Sequence, residues 1–96
     1  MRYKDLFSCE HSILKVHGCI QKENVIVSIN PSCKQNFINA KFTQKLQVLA
    51  KHIQNTHVDG ESVQFFKDLK ITMDKYVLRL DFYTLDMDVD VVLGYP

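Results

Sequence analysis

The sequence predicts an all-β domain, a closed barrel of six or seven short strands with one short helix. Apolar and polar residues alternate along most of the chain, as they do in strands that bury one face. Polar breaks of hairpin length separate these segments, and only one segment spaces its apolar residues as a helix does. The 96 residues suffice for one domain with a modest core, so we assign residues 1–96 to a single domain.

The first part of the chain predicts a hairpin. Residues 1–11 show no clear periodicity, and we expect them to form an arm or a first short strand. Apolar residues occupy every second position over residues 12–20, which predicts a strand with one wetter face. The polar residues 21–24 form a break of hairpin length, after which residues 25–29 return as a strand. The near-continuous apolar run of this second strand predicts burial on both faces.

The next segment is the only one with a helical pattern. Its apolar residues recur at every fourth position, at Ile38, Phe42 and Leu46. This spacing predicts a helix from residue 36 to about residue 50, with one apolar face. Either Ser32 or Asn36 could cap its N-terminus, because both side chains can accept hydrogen bonds from the first free N–H groups.

Strands return in the second half of the chain. Asp59-Gly60 is a strong hairpin signal, because glycine tolerates the positive φ that such turns require. Apolar residues alternate again over residues 69–73 and 76–82, and the polar pair at residues 74–75 predicts a turn between them. The apolar run at residues 89–93 predicts a last buried strand, which a glycine ends.

The composition excludes several classes of function. Net charge is +1 and charged residues make up 24%, so no broad basic face is available to follow a phosphate backbone, and we expect no nucleic-acid partner. No apolar run approaches the length of a membrane span, and residues 1–5 lack the apolar core of a signal peptide. We therefore expect no membrane association and an intracellular location, cytoplasmic or nuclear.

The three cysteines do not predict a disulfide framework. Cys9, Cys19 and Cys33 are odd in number and widely spaced, which favours reduced thiols. With His11 and His17, the first two form a Cys-x-His and a His-x-Cys pair that two antiparallel strands could bring together around zinc. The spacing matches no common zinc module, so we predict neither a metal site nor another cofactor.

The strand at residues 25–29 and the residues after it resemble the active-site segment of a known family. In the retropepsin-like aspartic proteases of gypsy-class LTR retrotransposons and retroviruses, an aliphatic strand leads into Asp-Ser/Thr-Gly, and Asn/Ser-Phe-Ile follows. This sequence has the strand and Asn36-Phe37-Ile38, but the central positions read Asn30-Pro31-Ser32. The resemblance implies a retropepsin-like barrel from about residue 12 to the end of the chain.

Two later segments are similar to other parts of that family. The resemblance implies a flap, the hairpin that closes over substrate, with its tip at Val58, Asp59 and Gly60. Residues 77–85 resemble the strand that precedes the family's last motif. That motif, aliphatic residues followed by glycine, stands here as Val91, Val92, Leu93 and Gly94. Asp90 precedes it, as in many proteases of plant retrotransposons. The order and spacing of these matches make the resemblance specific.

The active-site loop that the resemblance implies lacks its catalytic residue. Aspartic proteases activate water with two carboxylates that share a proton, and each retropepsin subunit supplies one. Asn30 offers an amide instead, Pro31 has neither hydroxyl nor backbone donor, and Ser32 stands in place of glycine. We therefore assign no catalytic residue and treat Asn30, Pro31, Ser32 and Cys33 as a vestigial active-site loop.

These expectations favour a pseudoenzyme. The sequence indicates a catalytically inactive, retrotransposon-derived domain that binds a protein or peptide partner, or that associates with itself as a homodimer. The alternative is an active homodimeric aspartic endopeptidase that processes a retroelement polyprotein. Because the chain stops at Gly94-Tyr95-Pro96, within what resembles a motif, we also expect it to be a fragment of a longer protein.

Overall fold

The computed structural model describes residues 14–58 and 60–95. The elements, in chain order, are β1 (Leu14–Ile20), β2 (Glu23–Ile29), β3 (Phe37–Asn39), α1 (Ala40–Thr43), a 3-10 turn (Ala50–His52), β4 (Ile53–Val58), β5 (Glu61–Met73), β6 (Tyr76–Leu85) and β7 (Val91–Leu93). The predicted arm at residues 1–11, with Cys9 and His11, lies outside the described residues, and so does Asp59. No helix in the described part of the chain is long and apolar enough to cross a membrane.

Six of the strands close into a barrel. Their order is β1-β2-β7-β3-β6-β5, and the pairing of Cys19 in β1 with Thr72 in β5 closes the ring. β4 pairs with the first half of β5 and so extends the sheet beyond the ring. The predicted closed barrel of short strands is therefore confirmed.

The last strand, β7, is inserted between two strands from the first half of the chain. This last strand lies between β2 and β3, parallel to β2 and antiparallel to β3. β3 in turn pairs in parallel with β6. Segments that are far apart in sequence therefore meet where β2 ends, and the end of β7 is placed against the loop that follows β2.

Two groups of buried side chains form the core. The larger fills the barrel and includes Ile20, Val25, Val27, Ile38, Phe66, Ile71, Phe82 and Val91. The smaller consists of Cys33, Phe37 and Val92 and lies beside the loop that follows β2. Burial of β2 on both faces is wrong at Ile26, which is 36% exposed opposite His17 of β1. Ser28, two residues further along the same face, is buried, so the exposure is confined to the start of the strand.

The predicted helix over residues 36–50 is wrong along most of its length. Phe37 and Ile38 lie in β3, where they pair with β6 and β7, and α1 has only four residues. Ile38 and Phe42 belong to the larger core, and Leu46 packs against it. Their regular spacing therefore reflects burial in the same core and not a continuous helix. The cap is Asn39, whose Oδ1 accepts a hydrogen bond from the Lys41 N–H at 3.0 Å, and not Ser32 or Asn36.

The predicted hairpins are confirmed. Val58 pairs with Glu61 across a two-residue connection in which Gly60 has φ of 82°. Met73 pairs with Tyr76 across the connection at residues 74–75. The last strand is also present, although β7 begins two residues later than predicted, at Val91.

The hairpin between β1 and β2 is held in an unfavourable turn by a side-chain clamp. Gln21 and Lys22 have φ of 51° and 69°, values that favour glycine or asparagine. Gln21 keeps its place through two bonds to Gln47: its Nε2 donates to the Gln47 carbonyl at 2.8 Å, and its Oε1 accepts from the Gln47 N–H at 2.7 Å.

Lys22→Gly should therefore raise the free energy of unfolding by about 0.5 kcal/mol, because relief of the left-handed strain slightly exceeds the added flexibility of the unfolded chain. Urea unfolding followed by circular dichroism measures this. The control is Lys15→Gly inside β1, which should lower stability by about 1 kcal/mol. Destabilisation by both substitutions to the same extent would contradict the strain argument.

Candidate functional site

The turn after β2 is built around the side chain of Asn30. The Asn30 carbonyl accepts a hydrogen bond from the Cys33 N–H at 3.0 Å, which closes a four-residue turn. Asparagine is favoured at the first position of such turns and proline at the second, where Pro31 stands. Ser32 does not have a positive φ, so the turn does not need the glycine that the family places there. The sequence Asn30-Pro31-Ser32 thus suits the turn that it forms.

The amide oxygen of Asn30 is engaged within this turn. Its Oδ1 accepts hydrogen bonds from the Ser32 N–H at 3.2 Å and from the Ser32 hydroxyl at 2.6 Å. Asn30 is only 4% exposed, and its backbone N–H donates to the Leu93 carbonyl at 2.9 Å. An amide in this position can accept hydrogen bonds but cannot take a proton from water near neutral pH. Its role here is to brace the turn.

The structure brings the second family motif against this turn. Val91, Val92 and Leu93 are buried in β7, and the Tyr95 N–H just beyond them donates to the Cys33 carbonyl at 2.7 Å. Gly94 passes so close to the loop that a Cβ placed on it would lie 2.5 Å from the Cys33 carbonyl oxygen. The end of β7 and the loop after β2 are therefore in direct contact.

Asn36 joins the loop to two strands, a role that the sequence did not predict. Its Nδ2 donates to the Asp81 carbonyl of β6 at 3.2 Å, and its Oδ1 accepts from the Gly94 N–H at 3.0 Å. The Asn36 carbonyl also accepts from the Tyr83 N–H at 3.0 Å. The helical pattern instead assigns this asparagine a capping role. The only signal in the sequence was its position next to the apolar pair Phe37-Ile38.

The expectation of reduced thiols is wrong for Cys33, which is disulfide-bonded. Among the described residues, Cys19 is a free cysteine. Cys33 is 1% exposed and packs with Phe37 and Val92. Three widely spaced cysteines do not reveal which two will meet, and for that reason the bond could not be predicted from spacing.

The remaining predicted residues are located as follows. Val58 ends β4 and Gly60 lies in the connection to β5, where a Cβ on Gly60 would meet no atom of the described residues within 4 Å. Among the described residues, no group of three or more His, Cys, Asp or Glu side chains could hold a metal ion. The Cys9 and His11 half of the suggested zinc set lies outside them.

Solved structures show what the barrel resembles. The crystal structure of the retroviral protease-like domain of Ddi1 from Leishmania major matches this chain with a TM-score of 0.69, at 13% sequence identity. The match covers 84% of this chain and 70% of that one. The chain has a retropepsin-like fold. No family model and no curated protein matches the sequence.

This retropepsin-like fold confirms the architecture that the resemblance implied. At 13% identity the likeness concerns the fold alone. The gypsy-class or plant-type origin therefore stays a prediction, and so do the roles of Asn30 to Cys33 and of the hairpin tip.

Proposed function

We propose that this chain is a catalytically inactive, retrotransposon-derived retropepsin-like domain that acts as a protein-interaction or self-association module. One observation carries the proposal: the side chain at the end of β2 is an amide whose oxygen already accepts two hydrogen bonds within its own turn. β7 also lies beside β2, and the backbone N–H of Asn30 donates to the Leu93 carbonyl, so this amide is held within the barrel wall.

Without the carboxylate, the acid–base mechanism of aspartic proteases cannot operate at all, rather than operating more slowly. Two carboxyl groups that share a proton act as acid and base, and neither role is open to an uncharged amide. A homodimer of this chain would face two amides toward each other. Pairing with a subunit that carries aspartate would supply one carboxylate only. Either dimer therefore lacks the shared proton.

Exposed apolar residues support an interaction role. Tyr76, Val77 and Leu78 are consecutive at the start of β6 and are 62%, 56% and 36% exposed. Tyr76 and Leu78 share one face of the strand, and exposed apolar side chains of this kind are common where another protein binds. β4 also pairs with β5 alone among the described strands, so its other edge offers backbone groups for pairing.

The test of inactivity is a cleavage assay. We expect the purified chain to leave an unfolded protein substrate intact from acidic to neutral pH, with or without pepstatin. The comparison variant is Asn30→Asp combined with Ser32→Gly, which restores the family's residue types. Pepstatin-sensitive cleavage by the natural chain that Asn30→Ala abolishes would contradict the proposal.

Light scattering over a concentration series then separates the two modes of interaction. A stable dimer of the natural chain would assign the function to self-association. A monomer at all concentrations would assign it to binding a different protein. The Asn30→Asp, Ser32→Gly variant, measured in parallel, reports whether the altered loop itself sets the oligomeric state.

A further inference from the structure

A basic cavity lies on the outer surface of the barrel, apart from the turn at Asn30. It encloses about 200 Å³ between the segment that contains the 3-10 turn and the middle of β5 and β6. Its charged lining residues are Lys67, Lys70, Arg79 and Asp68, and His52 lies beside them. None of these residues belongs to the vestigial loop or to the hairpin tip.

A bulge in β5 shapes one wall of this cavity. The pairing of β5 with β6 shifts between Phe66 and Leu69, and Asp68 there adopts φ of 59°. The Asp68 N–H donates to Asp81 Oδ1 at 2.8 Å, and the Asp68 carboxylate lies 3.5 Å from Arg79 Nη1. Bulges re-aim side chains, and this one exposes Lys67 beside Lys70.

The opposite wall is held by the clamp between Gln21 and Gln47. Both residues line the cavity, and their two mutual hydrogen bonds tie the segment after α1 to the β1–β2 hairpin. The next residues, Val48 and Leu49, add an apolar rim, with Leu49 65% exposed. Both walls are thus fixed by hydrogen bonds, so a ligand would meet a formed site.

The charge of the cavity selects its ligand. Lys67, Lys70 and Arg79 line the cavity with Asp68, and the Asp81 carboxylate lies against the Asp68 N–H, so the cations here exceed the carboxylates by one. The apolar rim adjoins this positive charge. An anion with an apolar neighbour complements both features, whereas a basic or purely polar ligand would match neither.

We propose that this cavity binds an acidic segment of a partner protein, with a carboxylate against Lys67 and Lys70 and an aliphatic side chain on Leu49. The inference rests on the proposed function and assigns a partner class to the interaction module. A nucleic acid fits less well, because its phosphates need an extended basic track rather than one small surface cavity with an apolar rim.

Fluorescence anisotropy tests this with a short labelled peptide that alternates Glu with Leu. The paired variant Lys67→Gln, Lys70→Gln should weaken binding about tenfold, since each lost charge pair contributes modestly at a partly exposed site. The matched control Lys15→Gln, Lys41→Gln removes the same charge from exposed lysines elsewhere and should leave binding within twofold. Binding should also weaken as salt rises.

Three outcomes would overturn the inference: no binding by the natural chain, equal loss in both paired variants, or tighter binding of single-stranded nucleic acid with the same dependence on Lys67 and Lys70. Preference for a Glu-Leu peptide over a Glu-only peptide and over a Lys-Leu peptide would support it. Failure here leaves the cleavage assay unaffected, because only cleavage by the natural chain contradicts the proposed inactivity.

Discussion

Gly94→Ala should lower the free energy of unfolding by about 3 kcal/mol, the largest loss that we expect from adding a single methyl group to this chain. The new Cβ would lie against the carbonyl oxygens of Gln35 and Cys33, and the contact to Cys33 would be 2.5 Å. Both obstacles are backbone atoms of the loop after β2. They cannot rotate away as a side chain would, so the loop and the end of β7 must separate.

The control for this prediction is Gly60→Ala. Gly60 has φ of 82°, and no atom of the described residues lies within 4 Å of the point that a methyl carbon would occupy, so its replacement should cost only the backbone strain of about 1 kcal/mol. Urea unfolding of both variants gives the comparison. Equal losses would show that the approach of Gly94 to the loop does not limit stability.

Asn36→Ala should lower the free energy of unfolding by about 2 to 3 kcal/mol. Asn36 is 6% exposed, and its side chain bonds the Asp81 carbonyl and the Gly94 N–H. Removing the amide leaves both backbone groups without this partner in a poorly hydrated place, and each unmet group costs about 1 kcal/mol or more. The loop, β6 and β7 would lose their shared connection.

Asn55→Ala provides the matched measurement. Asn55 is exposed in β4, so the same substitution there should change stability by less than about 0.5 kcal/mol. Chemical denaturation, read by circular dichroism, measures both variants. If Asn36→Ala were as mild as Asn55→Ala, the bridge between loop and strands would not contribute to stability.

The features of the candidate site that could be predicted from the sequence are the local ones. The strand β2 and the turn after it followed from the apolar run and from Asn30-Pro31-Ser32, because strand and turn depend on neighbouring residues. The bridging role of Asn36 depends on Asp81 and Gly94, which are far away in sequence. The basic cavity could not be predicted from the sequence either, because a bulge brings Lys67 beside residues of three other segments.

The sequence by itself determined the strand-rich class, the hairpins and the resemblance to retropepsins, since alternation and turn residues act over a few positions. Only the tertiary structure decided which secondary structure residues 36–50 form. Their period of four predicted a helix, but Phe37 and Ile38 form hydrogen bonds with strands more than forty residues away, and these bonds outweigh a weak local preference. Two other features also depend on contacts between distant segments. They are the closure of the barrel through Cys19 and Thr72 and the position of β7 between β2 and β3. Contacts between distant segments depend on how the whole chain packs, which no local pattern encodes.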